Sequence, residues 1–309
     1  MTAALTVDSL TVRIPVAGGV VHAATDVELT LEPGRTHALV GESGCGKSIV
    51  ASAVCGLLPT HATMSGSIRL TGRGDAAVEI VGASERVLRT VRGRRIALVP
   101  QSAATFLTPV RTVGAQLDET LRHLGSRFAA VELLDRVGLG ADCRDRYPHE
   151  LSGGMAQRVA IAFALAGEPE VIVADEPTSS LDPVLTERIL MLLDACTAAG
   201  AAVLLITHDL TAARRHADTV SVMYAGRLLE SGPAAAVLDD PWHDYTEDLL
   251  AALPRNGLRP MPGSPPELTD LPDECVYHLR RPGTAFSGGS THLVRTGDRL
   301  VRTRIGGGS

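Results

Sequence analysis

An α/β fold with a parallel sheet at its centre is what this sequence predicts, on three observations. A short apolar run, His37 to Val40, leads into the glycine-rich loop Gly41-Glu42-Ser43-Gly44-Cys45-Gly46-Lys47-Ser48 and then into a helical pattern, IVASAVCGLL. A second run, Val171 to Ala174, is apolar throughout and ends in Asp175-Glu176. Two more, Ile96 to Val99 and Val203 to Ile206, are each followed two residues on by a polar side chain, Gln101 and His208. Strands apolar on both faces suit the middle of a helix-covered parallel sheet, whose carboxyl ends are where ligands gather.

The loop is the strongest local signal. It matches G-x-x-x-x-G-K-[ST] in the strand–loop–helix setting which that motif requires. Glycines let backbone amides close around phosphate oxygens, Lys47 reaches the β- and γ-phosphates, and Ser48 is placed to coordinate magnesium. Gly41, Ser43, Gly44, Cys45 and Gly46 complete the cradle, with Cys45 read as a small residue that fits, not as a redox group. A phosphate loop needs an acidic partner for its metal, and Asp175 at the end of an apolar strand supplies one. Glu176 beside it is then placed to polarise an attacking water.

A second anion site follows the first by about a hundred residues. In YPHELSGGMAQR, Ser152-Gly153-Gly154 opens a helical pattern, MAQRVAIAFALAG, with Ser152 where an N-cap belongs. The unpaired first-turn amides and the positive end of the helix dipole favour an anion there.

Composition bounds what these sites serve. At 309 residues the chain is long enough for one large domain and an appendage. The five cysteines, Cys45, Cys55, Cys143, Cys196 and Cys275, are scattered with no CxxC pair, which points to a reducing compartment without a disulfide frame or structural zinc. A net charge of −6 points away from nucleic acid. No apolar run reaches the ~18 to 20 residues of a membrane span, and the amino terminus MTAALTVDSLTVRIP lacks the pattern of a secretory signal.

In chain order, GESGCGKS, Gln101, LSGGMAQR, VIVADEP, SSLD and THD resemble the ATP-binding subunit of an ABC transporter, over about residues 5 to 235. The resemblance implies a P-loop NTPase fold with a RecA-like parallel sheet. To this it adds a small antiparallel sheet from the first ~35 residues and 65 to 85, and a helical subdomain at about 102–157, all within residues 1–235. It also implies why there are two anion sites. Such domains pair head to tail, so that Ser152, Gly153 and Gly154 of one chain close over ATP held by the phosphate loop of the other. Gln101 resembles the Q-loop glutamine that contacts magnesium and the attacking water. Asp182 resembles the D-loop aspartate at the dimer interface, and His208 the switch histidine that senses the γ-phosphate. The expected cofactors are ATP and Mg2+, with Ser48, Gln101 and Asp175 toward the metal and Glu176, His208 and Gln101 as the catalytic set.

One departure stands out. Relatives stack adenine on an aromatic residue some twenty-odd positions before the loop, and residues 1 to 50 contain no Phe, Tyr or Trp, although His22 lies in that region. The absent stack implies ATP binding weaker by ~1 to 3 kcal/mol.

The tail narrows the resemblance. DDPWHDYTEDLLAALP (239 to 254) and MPGSPPELTDLPDEC (261 to 275) resemble the C-terminal extension of oligopeptide, dipeptide and nickel importer ATPases, here residues 236–305. The first reads as a short amphipathic helix and the second as a Pro-rich arm ordered by contact, outside the core. Some relatives hold an iron–sulfur centre after this arm. This chain has Cys275 alone, with Arg281 at the next expected position, so no iron–sulfur cluster is expected. The closing GGGS (306–309) reads as a linker scar. The expected partners are a second, related ABC ATPase, two transmembrane permeases and an external substrate-binding protein. The expected location is peripheral, on the cytoplasmic face of a bacterial membrane. The alternatives are a soluble ABC ATPase outside transport and an exporter half. A single phosphate loop, no heptad run and no membrane span favour the importer.

Overall fold

Two sheets carry the fold. The computed structural model describes residues 2–72, 76–254, 257–272, 276–281 and 291–304. In chain order the strands are β1 (Leu5–Val16), β2 (Gly19–Leu31), β3 (Thr36–Val40), β4 (Thr63–Leu70), β5 (Val78–Glu79), β6 (Ile96–Val99), β7 (Val171–Asp175), β8 (Ala202–Thr207), β9 (Thr219–Tyr224), β10 (Arg227–Pro233), β11 (Thr291–Thr296) and β12 (Arg299–Arg304). The smaller sheet has the order β2-β1-β4-β5, and its pairings are antiparallel. The larger has the order β11-β12-β10-β9-β3-β8-β7-β6. Within it β9, β3, β8, β7 and β6 run parallel, while β10, β12 and β11 add an antiparallel flank. This agrees with the fold class read from the sequence.

The parallel strands form where the sequence offers unbroken apolar runs. All five residues of β3 and all six of β8 are buried, as expected for strands covered on both faces. One core lies between the two sheets and takes in Val50, Ala51 and Val54 from the helix Lys47–Val54. That helix is shorter than its sequence pattern, since Gly56 at φ +62° turns the chain before Leu57. A second core packs the helices Val113–Leu124, Ala130–Arg136, Gly153–Leu165 and Pro183–Ala198 around β6, β7 and β8. Three of these helices are capped by side chains: Thr112 accepts from the Ala115 amide, Ser152 from Met155, and Asp182 from Val184 and Leu185.

The tail packs closely on the ATPase core. Its first part forms the short helix Asp244–Ala251, whose Tyr245 and Leu250 are buried with Val276 and Tyr277 in a third core beside Val40, Val222 and Leu229, while Met261, Leu268 and Leu271 of the Pro-rich arm are partly buried against it. Residues 268–270 pair with the edge of the small sheet: His22 N donates to Leu268 O at 2.7 Å, and Asp270 N to Val20 O at 2.9 Å. The hairpin β11–β12, unforeseen from sequence, extends the large sheet at β10. Only Glu230↔Val301 and Ser231↔Leu300 pair there, so side chains do most of the fastening. Arg299 pairs with Glu230, and its guanidinium lies 3.7 Å from the Trp242 ring centroid. Arg302, fully buried, donates to Leu228 O at 2.7 Å. Glu230 also accepts from the Trp242 and His243 amides at 2.9 and 3.1 Å. Stripping one partner from a buried ion pair of this kind costs roughly 3–5 kcal/mol, because the other charge stays in the interior. Cys275 and residues 306–309 lie outside the described residues, and with them the expectations attached to each.

Two buried histidines make stability pH-dependent. Burial lowers the His37 pKa from 6.5 to about 4, and its ring nitrogens contact the Ser221 and Thr219 hydroxyls at 2.9 and 2.8 Å. Burial does the same to His243, with Arg302 adding to it, and His243 Nδ1 accepts from the Tyr245 amide at 3.0 Å. In the unfolded chain both rings take a proton near pH 6.5, whereas the folded rings resist until about pH 4. Their contribution is therefore full above pH 6.5 and is lost as pH falls toward 4, by about 3 kcal/mol each. Urea midpoints should fall across that window, and His37→Gln should remove about half of the slope; an unchanged slope would contradict the assignment.

Candidate nucleotide-binding and hydrolysis site

Because β3, β6, β7 and β8 run parallel, their carboxyl ends emerge on one edge of the sheet. The register Val99↔Ala174, Asp175↔Ile206 and Val40↔Thr207 aligns those ends. Each is followed by a functional side chain: the loop after Val40, Gln101 after Val99, Glu176 after Asp175, and His208 after Thr207.

Glycine is required in the loop at two places. A Cβ on Gly41 would lie 2.1 Å from the Met223 carbonyl oxygen, and one on Gly46 2.1 Å from that of Ala23, at φ +152° and +111°. Gly46 also sits at the N-cap of the helix Lys47–Val54, where no side chain caps the amides, leaving them for a phosphate. Lys47 is folded into the loop it serves, donating from Nζ to the Gly41 carbonyl at 2.9 Å and the Glu42 carbonyl at 2.8 Å. Cys45 Sγ lies 3.8 Å from Nζ, and burial pushes its thiol upward, away from a reactive thiolate.

The carboxylates divide their environments. Asp175 accepts from Ser48 Oγ at 3.1 Å. Its carboxyl is pushed up by desolvation, against which the Ser48 hydrogen bond works, while the Glu176 charge adds to the rise. A hydroxyl and a half-buried carboxylate are the hard oxygen donors magnesium prefers, and it takes one or two from protein when phosphates and water supply the rest. The residues present fit the metal. Glu176 stands at φ +44°, a conformation most side chains avoid, with its amide held by Ile206 O at 2.9 Å. Three groups converge on its Oε2: Gln101 Nε2 at 3.0 Å, Ser179 Oγ at 3.0 Å and His208 Nδ1 at 3.5 Å.

The structure thus brings Ser48 to Asp175, and Gln101 and His208 to Glu176. Gln101 directs its amide nitrogen to Glu176; no hydrogen bond joins it to Ser48 or Asp175. Ser152, Gly153 and Gly154 stand apart from this cluster, and their hydrogen bonds stay within their own helix. Ser152 and Gly153 are exposed, while Gly154 packs so closely on Leu185 that a Cβ would come within 2.7 Å of it. Asp182 is exposed and caps the helix beginning at Pro183. Sequence reasoning missed Ser179, although its place three residues after Glu176 in EPTSS puts it one turn away. It also missed Glu42, Tyr245 and Arg280, which no local pattern connects.

A glycine-rich phosphate loop, Asp175 and an oriented Glu176 at one sheet edge, with a helix that opens on the exposed Ser152-Gly153, define an ATPase of the ABC class. The chain belongs to the ABC transporter family, whose model matches residues 24–179, and residues 229–285 match the C-terminal region of oligopeptide/dipeptide transporters. It is 40% identical, over 89% of its length and 88% of the relative's, to a probable D,D-dipeptide transport ATP-binding protein of Escherichia coli. A putative peptide import ATP-binding protein of Brucella melitensis is 42% identical, covering 84% of this chain and 83% of the relative. An oligopeptide transport ATP-binding protein of Mycobacterium tuberculosis is 41% identical over 91% of this chain and 48% of that longer protein. Among solved structures, a dimeric ATP-binding cassette in a post-hydrolysis state with ADP and Pi superposes with a TM-score of 0.64. Its sequence identity is 26%, over 74% of this chain and 98% of that one.

Proposed function

We propose that this chain is the ATP-hydrolysing subunit of a peptide importer, working as one half of a head-to-tail pair of ATPases at the cytoplasmic face of a membrane. The observation that carries the pairing is that Ser152 and Gly153 are exposed and that their hydrogen bonds stay within their own helix, with none to the phosphate loop. An anion site that does not serve its own chain's nucleotide is free to serve a partner's. The relatives named above carry peptide names, so peptide, not nickel or a metal chelate, is the cargo proposed.

In the mechanism, the loop amides and Lys47 hold the β- and γ-phosphates. Lys47 exchanges the Gly41 and Glu42 carbonyls for phosphate oxygens. Ser48 and Asp175 would hold magnesium, which when bound neutralises charge on the phosphates. Glu176 Oε2 accepts a proton from the attacking water, and Gln101, Ser179 and His208 fix the orientation of that oxygen. Ser152, Gly153 and Asp182 of each chain meet the partner across the interface.

The path to a permease starts at Gln101. Beside it a cleft of about 560 Å³ opens between the end of β6 and the helical segment, lined by Leu57, Pro100, Phe106 and Phe163. Phe106 and Leu57 are about half exposed, and Val110 stands 79% exposed nearby in sequence. An apolar cleft next to the residue that orients Glu176 suits a permease helix whose movement must reach the hydrolysis site. Among the described residues no helix is long and apolar enough to cross a membrane.

Tagged Glu176→Gln chain, captured from native membranes with ATP in mild detergent, should bring down two multi-span permeases and a second ATPase. Recovery of ribosomes, of DNA-repair proteins or of this chain alone would overturn the importer reading.

A further inference from the structure

The phosphate loop carries one acidic side chain, Glu42, at a place where a polyanion must bind. Glu42 is gripped from outside the ATPase motifs. Its amide donates to the Tyr245 hydroxyl at 3.1 Å, and that hydroxyl contacts Glu42 Oε2 at 3.5 Å. Arg280 closes a two-point pair on the carboxylate, with Nη1 on Oε2 and Nη2 on Oε1 at 3.0 Å. The Arg280 side chain is 4% exposed and Glu42 23%.

Both gripping residues come from the tail. Tyr245 lies on the helix Asp244–Ala251 and Arg280 on the short helix Tyr277–Arg280. They are held in turn by a cluster of tyrosines: the rings of Tyr224, Tyr245 and Tyr277 have centroids 4.5 to 5.3 Å apart. The Arg280 guanidinium lies 5.9 Å from the centre of the Tyr224 ring and donates to the Pro262 carbonyl. On the inner side of the loop, Lys47 donates to the carbonyl of the same Glu42. The residue between the tail and the nucleotide lysine is therefore one and the same.

We propose that Arg280, with Tyr245, neutralises and positions Glu42, so that the tail sets the affinity of the phosphate loop for ATP. An unpaired Glu42 carboxylate, 23% exposed and so within reach of dissolved salt, would repel the phosphates and compete for Lys47. Paired with Arg280, the same carboxylate is electrically silent and anchors the loop. Arg280 acts through Glu42 and is a positioning residue. The inference rests on residues 41–48 being the ATP site.

The test is titration of a fluorescent ATP analogue into the full-length chain at low and at high salt. Arg280→Gln should weaken binding by about tenfold at low salt and less at high salt, where like-charge repulsion is screened. Glu42→Gln with Arg280→Gln should recover most of that loss, since no carboxylate is left without a partner. Arg280→Lys should fall between wild type and Arg280→Gln. Wild-type affinity in Arg280→Gln, while Lys47→Ala fails to bind, overturns the inference and leaves the ATP site standing. Equal weakening of the single and double variants also overturns it, because the loss then comes from tail packing and not from the charge of Glu42. Wild-type binding by Lys47→Ala removes the ATP-site reading itself. Should Arg280→Gln not fold, Tyr245→Phe keeps the ring and deletes only the hydroxyl. A few-fold loss of affinity supports the inference there, and none overturns it.

Discussion

A chain carrying Glu176→Gln is expected to bind ATP as wild type does and to hydrolyse it about a thousand times more slowly. Loss of a positioned general base costs on the order of 10² to 10⁴ in rate. The upper half of that range applies because the substitution removes the negative charge on which Gln101, Ser179 and His208 converge. The amide is nearly isosteric, so nothing in the phosphate cradle moves. Phosphate release measured beside nucleotide binding separates the two effects. With its partner ATPase present, the variant should accumulate as a closed pair, visible by light scattering as an ATP-dependent rise in mass. Residual hydrolysis within a few-fold of wild type would remove Glu176 as the base.

Loss of ATP binding by about a hundredfold is expected for Lys47→Ala. Charge-assisted hydrogen bonds contribute ~1.5–3 kcal/mol each, and this ammonium has at least one phosphate oxygen to reach. The unliganded fold should not suffer, because Lys47 is buried and its removal relieves a desolvated charge. Gly46→Ala should lose binding just as fully, but with a lower melting temperature. Its Cβ would meet the Ala23 carbonyl at 2.1 Å, in a backbone conformation that alanine avoids. Calorimetry with and without ATP distinguishes the two. A Gly46→Ala chain as stable as wild type would show that the loop is less tightly braced than its contacts imply.

What could be read in the sequence was local. The loop, the Asp175-Glu176 pair and the Ser152 cap each lie within a dozen residues, and their meaning follows from strand–loop–helix order. Gln101 and His208 could be placed because a parallel sheet brings every strand end to one edge. The tail resisted for the opposite reason. Arg280 acts on a residue 238 positions away, and Arg302 on one 74 away. A lone arginine reads as surface, and nothing nearby marks it for burial. The hairpin β11–β12 is mostly polar, with one apolar pair in each strand, Leu293-Val294 and Leu300-Val301, like any exposed ribbon. Its buried face becomes evident only once Glu230 and Leu228 are across from it. Ser179 was within reach of a turn argument but was hidden by the stronger signal of its neighbours.

The hairpin also bears on how the chain is made. Until residues 291–304 have left the ribosome, the outer side of β10 is an open strand edge with unmet amides and carbonyls, beside a buried carboxylate without its arginine. Open edges recruit other chains, and contacts between distant segments form late. The ATPase core is thus left sticky along one side until the hairpin covers it. Translation halted before Thr291 would release a nascent chain with its motifs complete and its flank uncovered, a product fitted for aggregation.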